Sequence, residues 1–258
     1  MFHEVNELLH FANSFADKSK KILKGKYLKN FNVKKKKDGT FVTDVDQKIE
    51  SLFKKLTNKN FPNHGIIGEE YGSKNLESKY IWVIDPLDGT HSFISGKPLF
   101  GTLISCLKNN NPIIGVIDIP ILNYRWYGGK DVGVYFNKKR CSKIKSQKMI
   151  KNSIISSTSP FMFNKNDQKK VVNIYNDTRF PIFGTDCYAY GLLLLGKIDL
   201  IVEADLKPWD YMAQIPLIKE LGGNITDWEG KDLNINSKGK IIASMSMNHH
   251  KKLIKFLK

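Results

Sequence analysis

Two apolar runs that each end in carboxylates constrain this chain more than anything else in it. The first is Gly65-Ile66-Ile67-Gly68, closed by Glu69-Glu70. The second is Tyr80-Ile81-Trp82-Val83-Ile84, closed by Asp85-Pro86-Leu87-Asp88-Gly89-Thr90. Short apolar runs bounded by turn residues predict buried strands. The second strand is expected to stop at Asp85-Pro86, because proline has no N–H for the ladder. Asp-Pro and Asp-Gly are ordinary turn formers, and alone they mark only a loop. Crowding Glu69, Asp85 and Asp88 together, however, is repulsive unless they share protons or bind a cation. Oxygen ligands with no His or Cys among them favour Mg²⁺ over Zn²⁺. The Gly89-Thr90 helix start adds exposed N–H groups that suit a phosphate.

Two further acids stand at element ends. Phe41-Val42-Thr43-Asp44-Val45-Asp46 is a short extended piece entering a helix, where Asp44 or Asp46 could cap the helix. Asp210 follows Pro208-Trp209 at the start of another helix, where an N-cap role and a place in a metal cluster are compatible. Glu203 ends the apolar run Leu200-Ile201-Val202 and could face the same pocket.

At 258 residues, with 41% hydrophobic and 11% aromatic content, the chain can bury a sizeable core. No apolar run approaches the roughly 18 residues of a membrane span, and the first residues carry acid and no signal-peptide core, so a cytoplasmic protein is expected. Three cysteines, Cys106, Cys141 and Cys187, without C-x-x-C spacing argue against a disulfide framework or a zinc site. The net charge of +16 admits a polyanion partner. Its lysines are spread along the chain, and the one dense run, Lys34 to Lys37, is short. A solvated lysine-rich surface is therefore expected, with no nucleic acid and no membrane as partner.

Along the chain, Val5, Leu8, Leu9, Ala12, Phe15, Ala16 and Ile22 predict a helix over 4–24 with one apolar face. Leu103–Leu107 and Ile113–Ile117 predict a hairpin, and strand-and-turn rhythm continues to Asn137. A polar connection over 138–151 separates a second series. In it, strands at 154–158, 180–183, 199–203 and 241–243 alternate with helices at 167–175, 188–195, 211–221 and 251–257. The expectation is an α/β (α+β) layered sandwich. Residues 1–140 form an N-terminal α+β lobe with most of the acids. Residues 141–258 form a C-terminal α/β lobe with Asp210 and the residues facing the substrate. The two make one compact unit.

Taken in order, Val42-Thr43-Asp44-Val45-Asp46-Gln47, Gly68-Glu69-Glu70, Trp82 to Thr90 and Trp209-Asp210 resemble the inositol monophosphatase superfamily of metal-dependent phosphatases. The resemblance covers nearly the whole chain. Within the superfamily it is closest to the histidinol-phosphate phosphatases. That likeness is carried by Gly89 to Pro98, Phe100 to Leu103, Ser157 to Pro160, Asp186 to Gly191 and Val202-Glu203-Ala204. His91, where Arg or Lys is usual, and Asp205, where Gly is typical, depart from the pattern.

The resemblance implies an αβαβα sandwich of the inositol monophosphatase/fructose-1,6-bisphosphatase type, two or three Mg²⁺ ions and a small phosphate ester as substrate. It also implies a homodimer. One Mg²⁺ would be held by Glu69, Asp85 and the Leu87 carbonyl, and a second by Asp85, Asp88 and Asp210. Thr90 and Asp46 would orient or deprotonate the attacking water, supported by Glu70, and the Gly89 and Thr90 N–H groups would bind phosphate. Asp186 and Glu203 are the candidates for the alcohol half of the substrate. The implied reaction is hydrolysis of L-histidinol phosphate, in histidine biosynthesis, with inositol monophosphate or another small monoester as the alternative. Acidic partners suit the amine and imidazole of histidinol phosphate better than an inositol ring. An aspartyl-phosphate route would need D-x-D, whereas Asp85 and Asp88 are separated by two residues. A nucleic-acid-binding protein on a phosphatase-like scaffold would predict a lost acid set, and every expected acid is present.

Overall fold

The computed structural model describes residues 2–144 and 149–258, so part of the predicted connection, 145–148, lies outside the described residues. The chain opens with helix α1 (Phe2–Lys26), the hairpin β1 (Val33–Lys35) and β2 (Phe41–Thr43), and helix α2 (Asp44–Asn60). Strands β3 (Gly65–Gly68), β4 (Gly72–Lys74) and β5 (Tyr80–Asp88) lead to the short helix α3 (Thr90–Ser95). A meander follows: β6 (Gly101–Lys108), β7 (Asn111–Ile119), β8 (Tyr124–Gly129), β9 (Gly133–Phe136) and β10 (Lys139–Arg140). The second series is β11 (Ile154–Ser157), α4 (Lys165–Asp177), β12 (Phe180–Phe183), α5 (Tyr188–Leu194) and β13 (Leu200–Glu203). It ends with α6 (Pro208–Tyr211), α7 (Gln214–Glu220), β14 (Asn224–Asp227), β15 (Ile241–Ser244) and α8 (Met247–Leu257).

An eight-stranded sheet has the order β10-β9-β8-β7-β6-β5-β3-β4, and a five-stranded sheet the order β12-β11-β13-β15-β14. Side chains alternate across each strand. Ile66, Trp82 and Ile84 therefore face α1 and α2, against Leu8, Phe15, Ile49 and Phe53. Ile67, Ile81 and Val83 face the other way, into a middle layer of α5 and α7 that also packs on Ile201, Ile225 and Ile241 of the second sheet. The far face of that sheet, with Ile155, Leu200, Val202 and Ile242, is covered by Val171 and Ile174 of α4 and by Leu253 and Leu257 of α8. The five layers are the expected αβαβα sandwich. Among the described residues no helix is long and apolar enough to cross a membrane.

Several local expectations are corrected. The apolar face of α1 ends on the fully buried Leu23, with Ile22 half-buried. The strand expected to stop at Asp85-Pro86 runs on to Asp88, through a register shift against β6 between Asp85 and Asp88. Thr43, not Asp44 or Asp46, caps α2: its hydroxyl accepts the N–H groups of Val45 and Asp46. The helix expected over 211–221 is two pieces, α6 and α7, broken at Met212-Ala213. Asp210 sits three residues past the N-cap of α6, which is Lys207.

The break between α6 and α7 lies against Gly115 in β7, which leaves room for it. A Cβ there would fall 1.9 Å from the Ala213 carbonyl oxygen, a backbone atom that cannot swing aside. Gly115→Ala is expected to destabilise the protein by about 2 kcal/mol or more, read in thermal unfolding as a Tm loss of roughly 4–8 °C. An unchanged Tm would show that the sheet and this break are not in close register.

Candidate active site

The site forms where β3 ends beside the last residues of β5. The two strands pair in parallel with Gly68 opposite Ile84, so Glu69, just past the end of β3, stands level with Asp85, which is still paired to Leu103 of β6. Residues three apart on a regular strand point to opposite faces. The register shift between Asp85 and Asp88 cancels that difference, as a bulge does. Oxygens of Asp85, Asp88 and Asp210 lie within 4.8 Å of one another. Asp85 folds back so that its Oδ1 accepts the Leu87 N–H at 2.9 Å, and the Leu87 carbonyl accepts the Thr90 hydroxyl at 3.1 Å. Asp210 is held by the Lys207 N–H at 2.6 Å, and Asp88 by the Cys187 N–H at 2.7 Å.

Burial and mutual repulsion dominate the electrostatics. Asp85 is pushed well above the usual carboxylate range by burial, then by Glu69, Asp88 and Asp210. Asp210 is raised by burial and by Asp88. Asp88 rises to about 7, through burial and the charge of Asp186. Glu70 also rises to about 7, mainly through burial. Asp46 rises to about 6 through burial, opposed by its bonds from Thr43. The Thr43 hydroxyl and N–H both donate to Asp46 Oδ2, and Asp46 Oδ1 is buried with no partner among the described residues.

A residue that sequence reasoning passed over supplies the counter-charge. Lys36 Nζ lies 2.9 Å from Glu69 Oε1 and 2.7 Å from Glu70 Oε1. Burial works to lower its pKa, but the hydrogen bonds and charges of Glu70 and Glu69 more than reverse this and raise it. The available signal was a lysine run just upstream of a crowded acid motif. Three of those lysines, Lys34, Lys35 and Lys37, are exposed, while Lys36 turns inward.

On the substrate side, the Asp186 carboxylate lies against Gly89, where a Cβ would fall 2.9 Å from Asp186 Oδ2. Gly89 (φ +81°) and Asp186 (φ +45°) are both left-handed, and Ser92 Oγ donates to Asp186 at 2.6 Å. Glu203 is 1% exposed and accepts the Thr158 N–H at 3.0 Å and hydroxyl at 3.1 Å. Burial raises it to about 8 despite those bonds. Tyr190, also missed, is buried, its hydroxyl has no partner among the described residues, and it feels the charges of Glu203, Asp210 and Asp88. The two departures lie at the surface. His91 is exposed, its ring edge-on to Phe41 at 5.5 Å. Asp205 is exposed and paired with Lys207, in the left-handed conformation (φ +58°) that makes glycine suitable there.

Residues 4–258 match the sequence model of the inositol monophosphatase family. The chain belongs to this family. A relative 39% identical over 230 residues is the chloroplastic bifunctional phosphatase IMPL2 of Arabidopsis thaliana. The match spans 88% of this chain and 66% of that protein, just under two thirds of its length. A histidinol-phosphatase of Chlorobaculum parvum is 28% identical over 246 residues, 94% of each chain. Among solved structures, an inositol monophosphatase from Zymomonas mobilis superposes with a TM-score of 0.87 at 30% identity, over 98% of both chains.

As a member of the inositol monophosphatase family the protein is a metal-dependent phosphomonoesterase, and the family uses Mg²⁺. Its residues fit such an ion. Three mutually close carboxylate oxygens, each on a group raised by burial, are hard donors crowded beyond what protein partners offset. Asp46 Oδ1, with no partner among the described residues, adds a buried acceptor on a group that feels the charge of Glu69.

Proposed function

We propose that the protein hydrolyses L-histidinol phosphate to L-histidinol and phosphate. The observation that carries this reading is Asp186, an acid set against Gly89, whose N–H is a candidate phosphate donor. An alcohol esterified to a phosphate at Gly89 would face this carboxylate, and the buried Glu203 is near enough to feel its charge. An ammonium or imidazole gains from such partners more than a hydroxyl does. The likeness to a histidinol-phosphatase supports the same substrate. Inositol monophosphate is the second reading, favoured by the structural likeness to an inositol monophosphatase.

Glu69, Asp85, Asp88, Asp210 and the Leu87 carbonyl are the residues that would hold Mg²⁺. When bound, Mg²⁺ lowers the pKa of water and offsets charge developing on the phosphate oxygens. The Gly89 and Thr90 N–H groups bind those oxygens. The Thr90 hydroxyl, aimed by its bond to Leu87, and Asp46 Oδ1 place the attacking water in line, and Asp46 takes its proton. The water oxygen bonds to phosphorus as the bond to the alcohol oxygen breaks, and the alcohol leaves with a proton from solvent.

Phosphate release from L-histidinol phosphate and inositol 1-phosphate, measured side by side with Mg²⁺, tests the substrate. A clear preference for histidinol phosphate is expected, and equal or reversed rates would discard it. Asp186→Asn is expected to lower kcat/KM for histidinol phosphate about tenfold, the worth of one charged hydrogen bond, with a smaller loss for the inositol ester. Equal losses would remove Asp186 from specificity.

A further inference from the structure

Glu50 takes no part in the chemistry above, yet it is fully buried one turn along α2 from Asp46. Its carboxylate lies behind the acid turn. Oε2 accepts the Glu70 N–H at 2.7 Å and Oε1 the Tyr71 N–H at 3.0 Å. Lys54, a further turn along α2, closes the outer side. Its Nζ is 3.5 Å from Glu50 Oε1, donates to the Tyr71 carbonyl at 3.0 Å and stands 5.1 Å from the Tyr71 ring centroid. Gly68 makes room for this arrangement, since a Cβ there would fall 2.1 Å from Glu50 Oε1.

A buried carboxylate is costly to desolvate, and this one is compensated by two charge-assisted bonds from a single turn. That turn carries Glu69 and Glu70, which face Asp46 and Asp85. Like charges push the turn outward, and Lys36 is the cation that holds it from the front. A tether from behind keeps the backbone in place whether or not the front is neutralised. We propose that Glu50, braced by Lys54, is a positioning residue that holds the Glu69–Glu70 turn in metal-binding geometry against the repulsion of the neighbouring carboxylates. The proposal rests on the metal-site reading given above.

The test compares Mn²⁺ binding, the Mg²⁺ dependence of phosphate release and amide hydrogen exchange in the wild type, Glu50→Gln and Glu69→Gln. A glutamine can accept only one of the two N–H groups and turns an amide toward the other. Glu50→Gln is expected to weaken Mn²⁺ about tenfold, within the range seen when a residue supporting a metal ligand is lost. The Mg²⁺ needed for half-maximal turnover should rise by a similar factor, with turnover recovered at high Mg²⁺. The Glu70 and Tyr71 amides should exchange faster. A role in packing alone would lower Tm and turnover at every Mg²⁺ concentration without moving the Mg²⁺ requirement, and would overturn the proposal. If Glu50→Gln fails to fold, Lys54→Met should show a smaller shift of the same sign, and no shift would likewise overturn it. Unchanged Mn²⁺ affinity in Glu50→Gln beside a lost affinity in Glu69→Gln would reject the role of Glu50 alone. Wild-type affinity in Glu69→Gln would reject the metal assignment itself.

Discussion

Asp88→Asn and Asp210→Asn are each expected to lower kcat on the order of 10³-fold, with little change in the thermal unfolding of the metal-free protein. Asparagine keeps the volume and one acceptor oxygen of each side chain. The Cys187 N–H bond to residue 88 and the Lys207 N–H bond to residue 210 can therefore survive. What is lost is a negative charge in a cluster whose oxygens lie within 4.8 Å of one another. In the metal-free state that charge is a liability, because burial and neighbouring acids hold both groups above their usual range. Removing it should not lower Tm in EDTA, and a small rise is consistent. With Mg²⁺ present the same charge holds the ion that offsets phosphate. Steady-state phosphate release and calorimetry in EDTA measure the two sides separately. Near-normal turnover with unchanged metal affinity would remove these residues from the site.

The second large effect is loss of activity when the metal is withdrawn, with a dependence on pH that follows from the same groups. EDTA is expected to abolish phosphate release, and excess Mg²⁺ to restore it. Asp88 and Glu70 are raised to about 7 and Asp46 to about 6, chiefly by burial. Unfolded, these groups titrate near 4. Between those limits the folded metal-free protein binds more protons than the unfolded chain, so its stability from these groups is complete below about pH 4 and falls as pH rises through 6 to 7. Metal needs the ionised form, so its binding releases protons and weakens as pH falls. The Mg²⁺ giving half-maximal activity should therefore rise roughly tenfold or more between pH 7.5 and pH 6. The Tm difference between Mg²⁺ and EDTA should widen as pH rises from 5.5 to 8. A flat Mg²⁺ requirement across this range would contradict the raised carboxylates.

Much of this site could be read from residue order. The paired patterns Gly65 to Glu70 and Trp82 to Thr90 carry the acids on strand ends, and the layered fold follows from apolar runs separated by helical stripes. What escaped was set by pairing. Pro86 seemed to end its strand, yet it lies where the ladder against β6 shifts register and its missing N–H is tolerated. The strands β1, β4 and β14 are three or four residues long with at most one apolar side chain each, too short for periodicity to reveal. Lys36 resembled its solvated neighbours because only the fold of the β1–β2 hairpin turns it toward Glu69 and Glu70. Asp46 competed with Asp44 as a cap because both suit a helix start, whereas the hydroxyl of Thr43 takes that position. The break at Met212-Ala213 packs its Ala213 carbonyl against Gly115, far away in sequence.

The shared middle layer also sets an order of risk during translation. A ribosome that has released the chain through β9 has made every strand of the first sheet except its two-residue edge, β10. One face of that sheet can be covered at once by α1 and α2. The other, with Ile67, Val83, Leu103, Ile117 and Trp126, has no cover until α5 and α7 emerge. A nascent chain paused in this interval presents a broad oily sheet to its neighbours, and its acid cluster still lacks Asp210. Chaperone demand and aggregation on truncation should therefore peak for chains ending between β9 and α7.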